Sequence, residues 1–398
     1  MEKLKRVLTQ IAYNNYSAPF HYTPLLPILS FASKLYGFAL FLRHHLYAFG
    51  LFKSKRLPVP VISVGNLTWG GNGKTPMVEF LSLLFSRSGI CPLILTRGYA
   101  GGDEAKMLKR HLAGTSAKIG IGANRAATAA CFLNKYGYTD HGGPLFSDKM
   151  YPIQEFGSCY NSLKIGVVIL DDAMQHWSLS RDVEIVMVNG IMLWGNCHLL
   201  PRGPLREPVA ALERADIVVI HHADLVSYAQ LRSIKSRIIE VKDTINIFFS
   251  RLVPCYFFEA KNHSSTLPLK LAANTIVLCV SAIGCAEAFV RTIKKLGALH
   301  VDIMDFSDHH IFKEKDINMI KRRLRKLENR FEVKPIVVFT EKDYDRDPVI
   351  LTKLDSSRVL VLHSSLEIMP SFQRPPKSFE ELLMNHIPHP SPEVNTLQ

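Results

Sequence analysis

A run of small, donor-rich residues in the first quarter of the chain has the composition of an anion cradle. Gly70, Gly71, Asn72, Gly73, Lys74 and Thr75 follow one another without interruption. Glycines let successive backbone N–H groups turn inward on phosphate oxygens, and a helix starting at the same point adds its positive end. Lys74 then reaches the β- and γ-phosphates, and the Thr75 hydroxyl is placed to hold Mg²⁺. Apolar runs supply the context: Pro60 to Val64 reads as a strand and Met77 to Phe85 as a helix. In G-x-x-x-x-G-K-[ST] the first glycine falls at position 68, which is Thr68 here. Gly70 and Gly71 keep close backbone approach available. Nucleotide binding is the expectation, over a plain glycine-rich turn.

A second chemical element is Gly166 to Leu170, an apolar strand that ends in Asp171 and Asp172. Two hard carboxylates beside a phosphate loop are what Mg²⁺ coordination requires; alone they would serve equally as a turn or helix cap. Arg97, Arg125 and Arg206 are candidates for phosphate neutralisation, because guanidinium matches phosphate oxygens bidentately. Asp103 opens a helical stretch after Gly102, so it reads either as a cap or as a carboxylate near the reacting hydroxyl. Asp308-His309-His310 lies between a strand and a helix, where a carboxylate–histidine neighbourhood suits proton transfer and also suits helix capping. Thr340-Glu341-Lys342-Asp343 also ends a strand. Its adjacent Lys and Asp do not make the N-K-x-D guanine reader.

The elements that must position these groups follow from the apolar pattern. Strand-like runs at 61–67, 93–97, 118–121, 165–171, 184–189 and 216–221 alternate with helical stretches, as in a parallel α/β sheet. The candidate residues fall at or just after strand ends, where such sheets bind ligands. Residues 251–265 change character, with Pro254 and a polar Lys261 to Ser265, and read as an extended connector. A second α/β unit follows: strand 275–281, helix 285–296, strand 299–304, helix 314–328, and strands 335–339 and 358–362. The expected organisation is therefore an N-terminal segment 1–56, a first domain 57–250, a linker 251–265, a second, smaller α/β domain 266–385 and a disordered tail 386–398.

At 398 residues the chain is long enough for two domains with sizeable cores. The net charge of +13 points to an anionic partner. No zinc finger, basic-aromatic repeat or basic tail favours nucleic acid. Seven scattered cysteines without C-x-x-C give neither a disulfide framework nor a zinc site, which fits a reducing compartment.

Residues 1–56 carry a single acid, Glu2. Ile28, Phe31, Leu35, Phe38, Leu42, Leu46 and Phe49 recur at helical spacing among cationic residues, the pattern of an amphipathic helix in a membrane interface. A helix packed on its own domain is the competing reading. Pro24, Pro27, Lys34 and Arg43 interrupt the run, so no segment is expected to supply the ~18 apolar residues of a spanning helix. Residues 1–23, acid-poor with early lysines, also read as an organelle-targeting extension.

Taken in order, these motifs resemble the tetraacyldisaccharide 4′-kinase family of lipid A biosynthesis. The matching residues run from Pro60 to Thr68 and Gly70 to Pro76, through Thr96-Arg97-Gly98-Tyr99, Gly102-Asp103-Glu104 and Leu170-Asp171-Asp172 with Gln175-His176. They continue through Arg181-Asp182, Gly195-Asn196, Leu200 to Pro208, Asp308-His309-His310 and Thr340 to Asp343. The family carries a threonine-like residue at position 68, while Ala100 and Ala173 stand where it has glycine.

The resemblance implies a P-loop NTPase-like kinase with two α/β domains, which uses ATP and Mg²⁺ to phosphorylate the 4′-hydroxyl of tetraacyldisaccharide 1-phosphate, giving lipid IVA. It assigns Gly70 to Thr75 to nucleotide binding; Thr75, Asp171 and Asp172 to Mg²⁺; Asp103 as the base; and His309 as its support. Arg97, Arg125, Gln175, His176 and Arg206 become phosphate or substrate candidates. The implied partners are a glycolipid substrate and a membrane surface, with no nucleic acid and no obligate protein partner. The long N-terminus suggests an organelle-targeted eukaryotic member, in mitochondria; a bacterial member would sit on the cytoplasmic face of the inner membrane.

The alternative is a membrane-associated P-loop ATPase switch that acts through partner binding. That class needs a lysine where this chain has Trp69. A lipid-binding scaffold with a dead nucleotide site is a third reading, opposed by intact Lys74, Thr75, Asp171 and Asp172.

Overall fold

A computed structural model describes residues 2–13, 24–98, 102–139, 164–354, 358–370 and 378–385. Tyr99, residues 14–23 of the N-terminal extension and the expected tail 386–398 lie outside the described residues.

Two helices precede the sheet: α1 (Glu2–Tyr13) and α2 (Leu25–Ala48). The first half then runs β1 (Val61–Gly65), α3 (Lys74–Arg87), β2 (Cys91–Thr96), α4 (Asp103–His111), β3 (Lys118–Ile121), α5 (Arg125–Tyr136), β4 (Ile165–Asp171), β5 (Val183–Asn189), β6 (Ile217–His221) and α6 (Tyr228–Ile239). A hairpin of β7 (Asn246–Glu259) and β8 (Asn262–Leu267) follows. The second half is β9 (Ile276–Ser281), α7 (Ala286–Lys295), β10 (His300–Asp305), α8 (Glu314–Phe331), β11 (Ile336–Thr340), α9 (Glu341–Arg346), α10 (Pro348–Thr352), β12 (Val359–Met369) and α11 (Phe379–Asn385).

Every residue of β1, β2, β4, β5, β6 and β9 is buried, which accounts for their continuous Val/Ile/Leu character. Helices cover both faces. The order is β10-β9-β11-β12-β7-β6-β5-β1-β4-β2-β3, with β8 on β7. Pairing is parallel within each half, but β12 and β7 are antiparallel.

Residues 251–265 are thus extended, but within the sheet. The first part of β7 pairs with β6, His221 opposite Ser250. Its later part pairs with β12, Leu362 opposite Phe257, and β11 ends beside that point with Thr340 opposite Leu362. The carboxyl ends of β6 and β11 therefore point from opposite sides towards the middle of the β7–β12 ribbon. A crevice must open there.

Helix α2 differs from expectation in its unbroken apolar length. It runs unbroken for 24 residues and is long and apolar enough to cross a membrane by length and composition. Pro27 sits in the first turn, where no intrahelical hydrogen bond is lost. Three of its polar side chains reach the protein: Ser33 donates to the Leu199 carbonyl, Tyr36 to that of Arg206 and Arg43 to that of Gln175. Its apolar residues Ile28, Phe31, Leu35, Phe38 and Leu42 face outward, each about half or more exposed.

Candidate active site

The loop between β1 and α3 is shaped by side chains that hold backbone carbonyls. Asn66 Nδ2 donates to the Thr68 carbonyl (2.6 Å), Asn72 Nδ2 to that of Gly70 (2.8 Å) and Asn189 Nδ2 to that of Gly71 (2.7 Å). Thr68 is buried and its hydroxyl donates to Asn72 Oδ1 at 3.2 Å, so a polar side chain at this position serves the loop. The outer side of the loop pairs with residues 204–206: Trp69 N donates to the Pro204 carbonyl and Arg206 N to that of Leu67. Gly73 precedes Lys74 with φ +79°, and a Cβ there would lie 2.5 Å from the buried His221 ring. Only glycine fits both constraints.

Lys74 and the carboxylates at the end of β4 face each other. Lys74 Nζ lies 3.7 Å from Asp172 Oδ1, and Arg206 grips the same carboxylate with Nη1 to Oδ2 at 2.9 Å and Nη2 to Oδ1 at 2.6 Å. Burial would raise the Asp172 carboxyl, but Lys74 and Arg206 hold it well below the usual range. Asp171 is different. It is 3% exposed, its Oδ1 has no hydrogen-bond partner, and burial with the neighbouring Glu104 and Asp172 carboxylates pushes it up to about 7. A buried, unsatisfied carboxylate oxygen beside a phosphate loop fits a hard cation. Arg125 reaches beneath the pair and donates to the backbone carbonyls of Asp171 and Asp172.

On the facing wall, Asp103 Oδ2 lies 3.1 Å from His309 Nδ1 and accepts from Arg346 Nε (3.2 Å) and Nη2 (2.9 Å). Gly102, with φ +74°, takes the cap position, and Asp103 is the first residue of α4. Burial would raise its carboxyl, but His309, Lys342 and Arg346 hold it down to about 2. His309, itself at φ +62°, stands between Asp103 and the cavity. Lys342 Nζ approaches Glu104 Oε1 (3.3 Å), His309 Nε2 (3.4 Å) and Asp308 Oδ1 (3.6 Å).

One cavity of about 610 Å³ joins these groups. Gly70 to Thr75, Arg97, Arg125, Asp171, Asp172, Arg206 and His309 all line it. Three sequence candidates stand outside its wall. Asp103 lies beneath His309. Gln175 donates its amide to the Arg206 carbonyl (2.9 Å) and to Glu207 Oε1 (3.2 Å), steadying the segment that carries Arg206. His176 Nε2 meets Ser178 Oγ at 3.0 Å, and burial among arginines lowers it to about 4.

The sequence pattern assigned no role to Asn66, Asn189, Lys342 or Arg346. Lys342 was visible within Thr340 to Asp343, but nothing local tied it to His309. Gly284 was also missed. It presses on the phosphate loop so closely that a Cβ would lie 2.0 Å from Gly71 N.

A model of the tetraacyldisaccharide-1-P 4'-kinase family matches residues 25–387. An Arabidopsis thaliana protein named probable tetraacyldisaccharide 4'-kinase, mitochondrial, is 54% identical over 387 residues, covering 96% of this chain and 97% of its own. The tetraacyldisaccharide 4'-kinase of Syntrophus aciditrophicus is 31% identical over 391 residues, with 91% and 93% covered. Among solved structures, LpxK from Aquifex aeolicus, described as an "apo" form in complex with ATP, superposes with a TM-score of 0.59 at 23% identity. That match spans 91% of this chain and 99% of the other, and it supports the P-loop kinase fold. The chain belongs to the tetraacyldisaccharide-1-P 4'-kinase family.

Proposed function

We propose that the protein transfers the γ-phosphoryl group of ATP to the 4′-hydroxyl of a tetraacylated disaccharide 1-phosphate, giving lipid IVA. The observation that carries this reading is the single cavity in which a phosphate loop faces a carboxylate–histidine pair across the β7–β12 ribbon. Backbone amides of Gly70 to Thr75 cradle the phosphates, and Lys74 and Arg206 neutralise charge that develops on them. Thr75, Asp171 and Asp172 would hold Mg²⁺, which would supply further charge neutralisation. Asp103 and His309 accept the sugar hydroxyl proton as a unit, with His309 as the cavity-facing member. In this reading 57–250 and 266–385 act as two domains, and their approach excludes water from the transfer.

The outward apolar face of α2 would rest in the headgroup region of a membrane, bringing the cavity to its lipid acceptor. A mitochondrial location agrees with the name of the Arabidopsis relative. An assay with MgATP labelled at the γ-phosphate, with and without the tetraacyl disaccharide 1-phosphate, tests the function. Label in the lipid supports the kinase. Lipid-independent hydrolysis supports the ATPase switch, which the family match does not favour, and the absence of both supports a scaffold.

A further inference from the structure

We propose that Arg346 is a positioning residue for phosphoryl transfer, acting through Asp103 and without touching nucleotide or acceptor. This inference rests on the kinase reading and deepens it. Arg346 is 8% exposed and spends its guanidinium on four acceptors. Nε and Nη2 hold Asp103 Oδ2, Nη1 holds Asp343 Oδ1 (3.0 Å) and the His310 carbonyl (3.1 Å), and Nη2 also reaches the Ala282 carbonyl (3.4 Å). Asp343 Oδ1 in turn accepts from Ala282 N (3.1 Å), and His309 N donates to the Ala282 carbonyl (3.2 Å). One guanidinium therefore fixes the carboxylate of the proton-accepting pair and the loop that carries its histidine.

The arrangement is part of a larger match between α4 and α9. Asp103 begins α4 and meets Arg346 at the end of α9. Arg110, near the end of α4, meets Glu341 at the start of α9 and Asp345 within it, at 2.7–2.9 Å. The two helices thus run antiparallel with opposite charges at both ends. Asp103 comes from the first half of the chain, whereas Arg346, Lys342 and His309 come from the second. Its anionic, oriented form is assembled only when the halves meet. A planar fork gripping one oxygen while bonding a second carboxylate is a task a methylene chain cannot perform and a lysine performs only in part.

The test compares kinase turnover of the full-length wild type, Arg346→Met, Arg346→Lys, Asp103→Ala and the double variant Asp103→Ala/Arg346→Met. The expected result for R346M is a kcat lowered by about 30-fold or more with the KM for ATP changed less than about twofold, because the phosphate loop is untouched. R346K should recover part of that loss. In the D103A background R346M should cost less than about threefold more, because both act on one step. A merely structural arginine would instead multiply its loss onto that of D103A, or raise the KM for ATP. Either result overturns the proposal, as does an R346M kcat within about threefold of wild type. If R346M does not fold, R346Q takes its place in the same comparison. Wild-type activity and ATP binding, measured alongside, separate failure of this proposal from failure of the kinase reading.

Discussion

The charge match between α4 and α9 predicts a specific pH dependence of stability. His111 is 5% exposed at its side chain and lies between two carboxylates, with Nε2 2.8 Å from Glu341 Oε1 and Nδ1 2.8 Å from Glu79 Oε2. Burial alone would lower the imidazolium, but the two glutamates raise it from 6.5 to about 10. A folded value above the unfolded one means that its stabilisation is fully present below about pH 6.5 and is lost as pH rises through about 10. At 1.36 kcal/mol per pH unit, the gap corresponds to about 5 kcal/mol. Glu341 is also held by Arg110 and His363, so part of that field persists without His111, and about 3 kcal/mol is the expected share. His111→Gln keeps the size and one donor but not the charge. Urea unfolding of wild type and variant at several pH values gives the difference directly. H111Q should be less stable by about 3 kcal/mol at neutral pH and converge on wild type near pH 10. A difference below about 0.5 kcal/mol at neutral pH, or one that stays constant to pH 10, would show that the His111 charge does not stabilise the fold.

Three further outcomes follow from the same geometry. Asp171 is raised to about 7, so the stability its neutral form contributes is present below about pH 4 and lost as pH rises through about 7. Mg²⁺ should therefore raise the melting temperature more at pH 8 than at pH 6, and Asp171→Asn should abolish the difference. Gly284→Val places a branched side chain where even a Cβ would lie 2.0 Å from Gly71 N; a loss of about 1–3 kcal/mol and a lower kcat should show in melting and turnover. Phe31→Glu and Phe38→Glu alter residues that are 65% and 64% exposed. Each should weaken sedimentation with anionic vesicles by about tenfold or more, given 1.5–3 kcal/mol for a buried Phe, without changing the melting temperature.

Much of the site was legible because its signals are local. The strand, loop and helix from Pro60 to Phe85 lie within one stretch, and Asp171-Asp172 ends an unbroken apolar strand. The β7–β12 ribbon was not legible as sheet. Pro254 and the polar Asn262 to Ser265 suggest a connector, and the pairing partners lie about a hundred residues away at 359–369. Pro254 is accommodated next to the register shift between His363 and Ser364. Arg346 and Lys342 escaped notice for the same reason, since each is defined by residues of α4 more than two hundred positions earlier. The unbroken length of α2 was obscured by Pro27, which sits in the first turn and costs no hydrogen bond, and by Arg43, which bonds to the Gln175 carbonyl.

In the proposed mechanism one cavity holds both the phosphate donor and the proton acceptor for a sugar hydroxyl. Phosphorus NMR of the lipid recovered after incubation with MgATP and the tetraacyl disaccharide 1-phosphate, using wild type, Lys74→Met and Asp103→Ala, tests this mechanism. Wild type should yield a new phosphomonoester at the 4′-position, and both variants should lose its formation by about 10²-fold or more. A lipid left unmodified while ATP is hydrolysed at the same rate with or without it would overturn the proposed transfer.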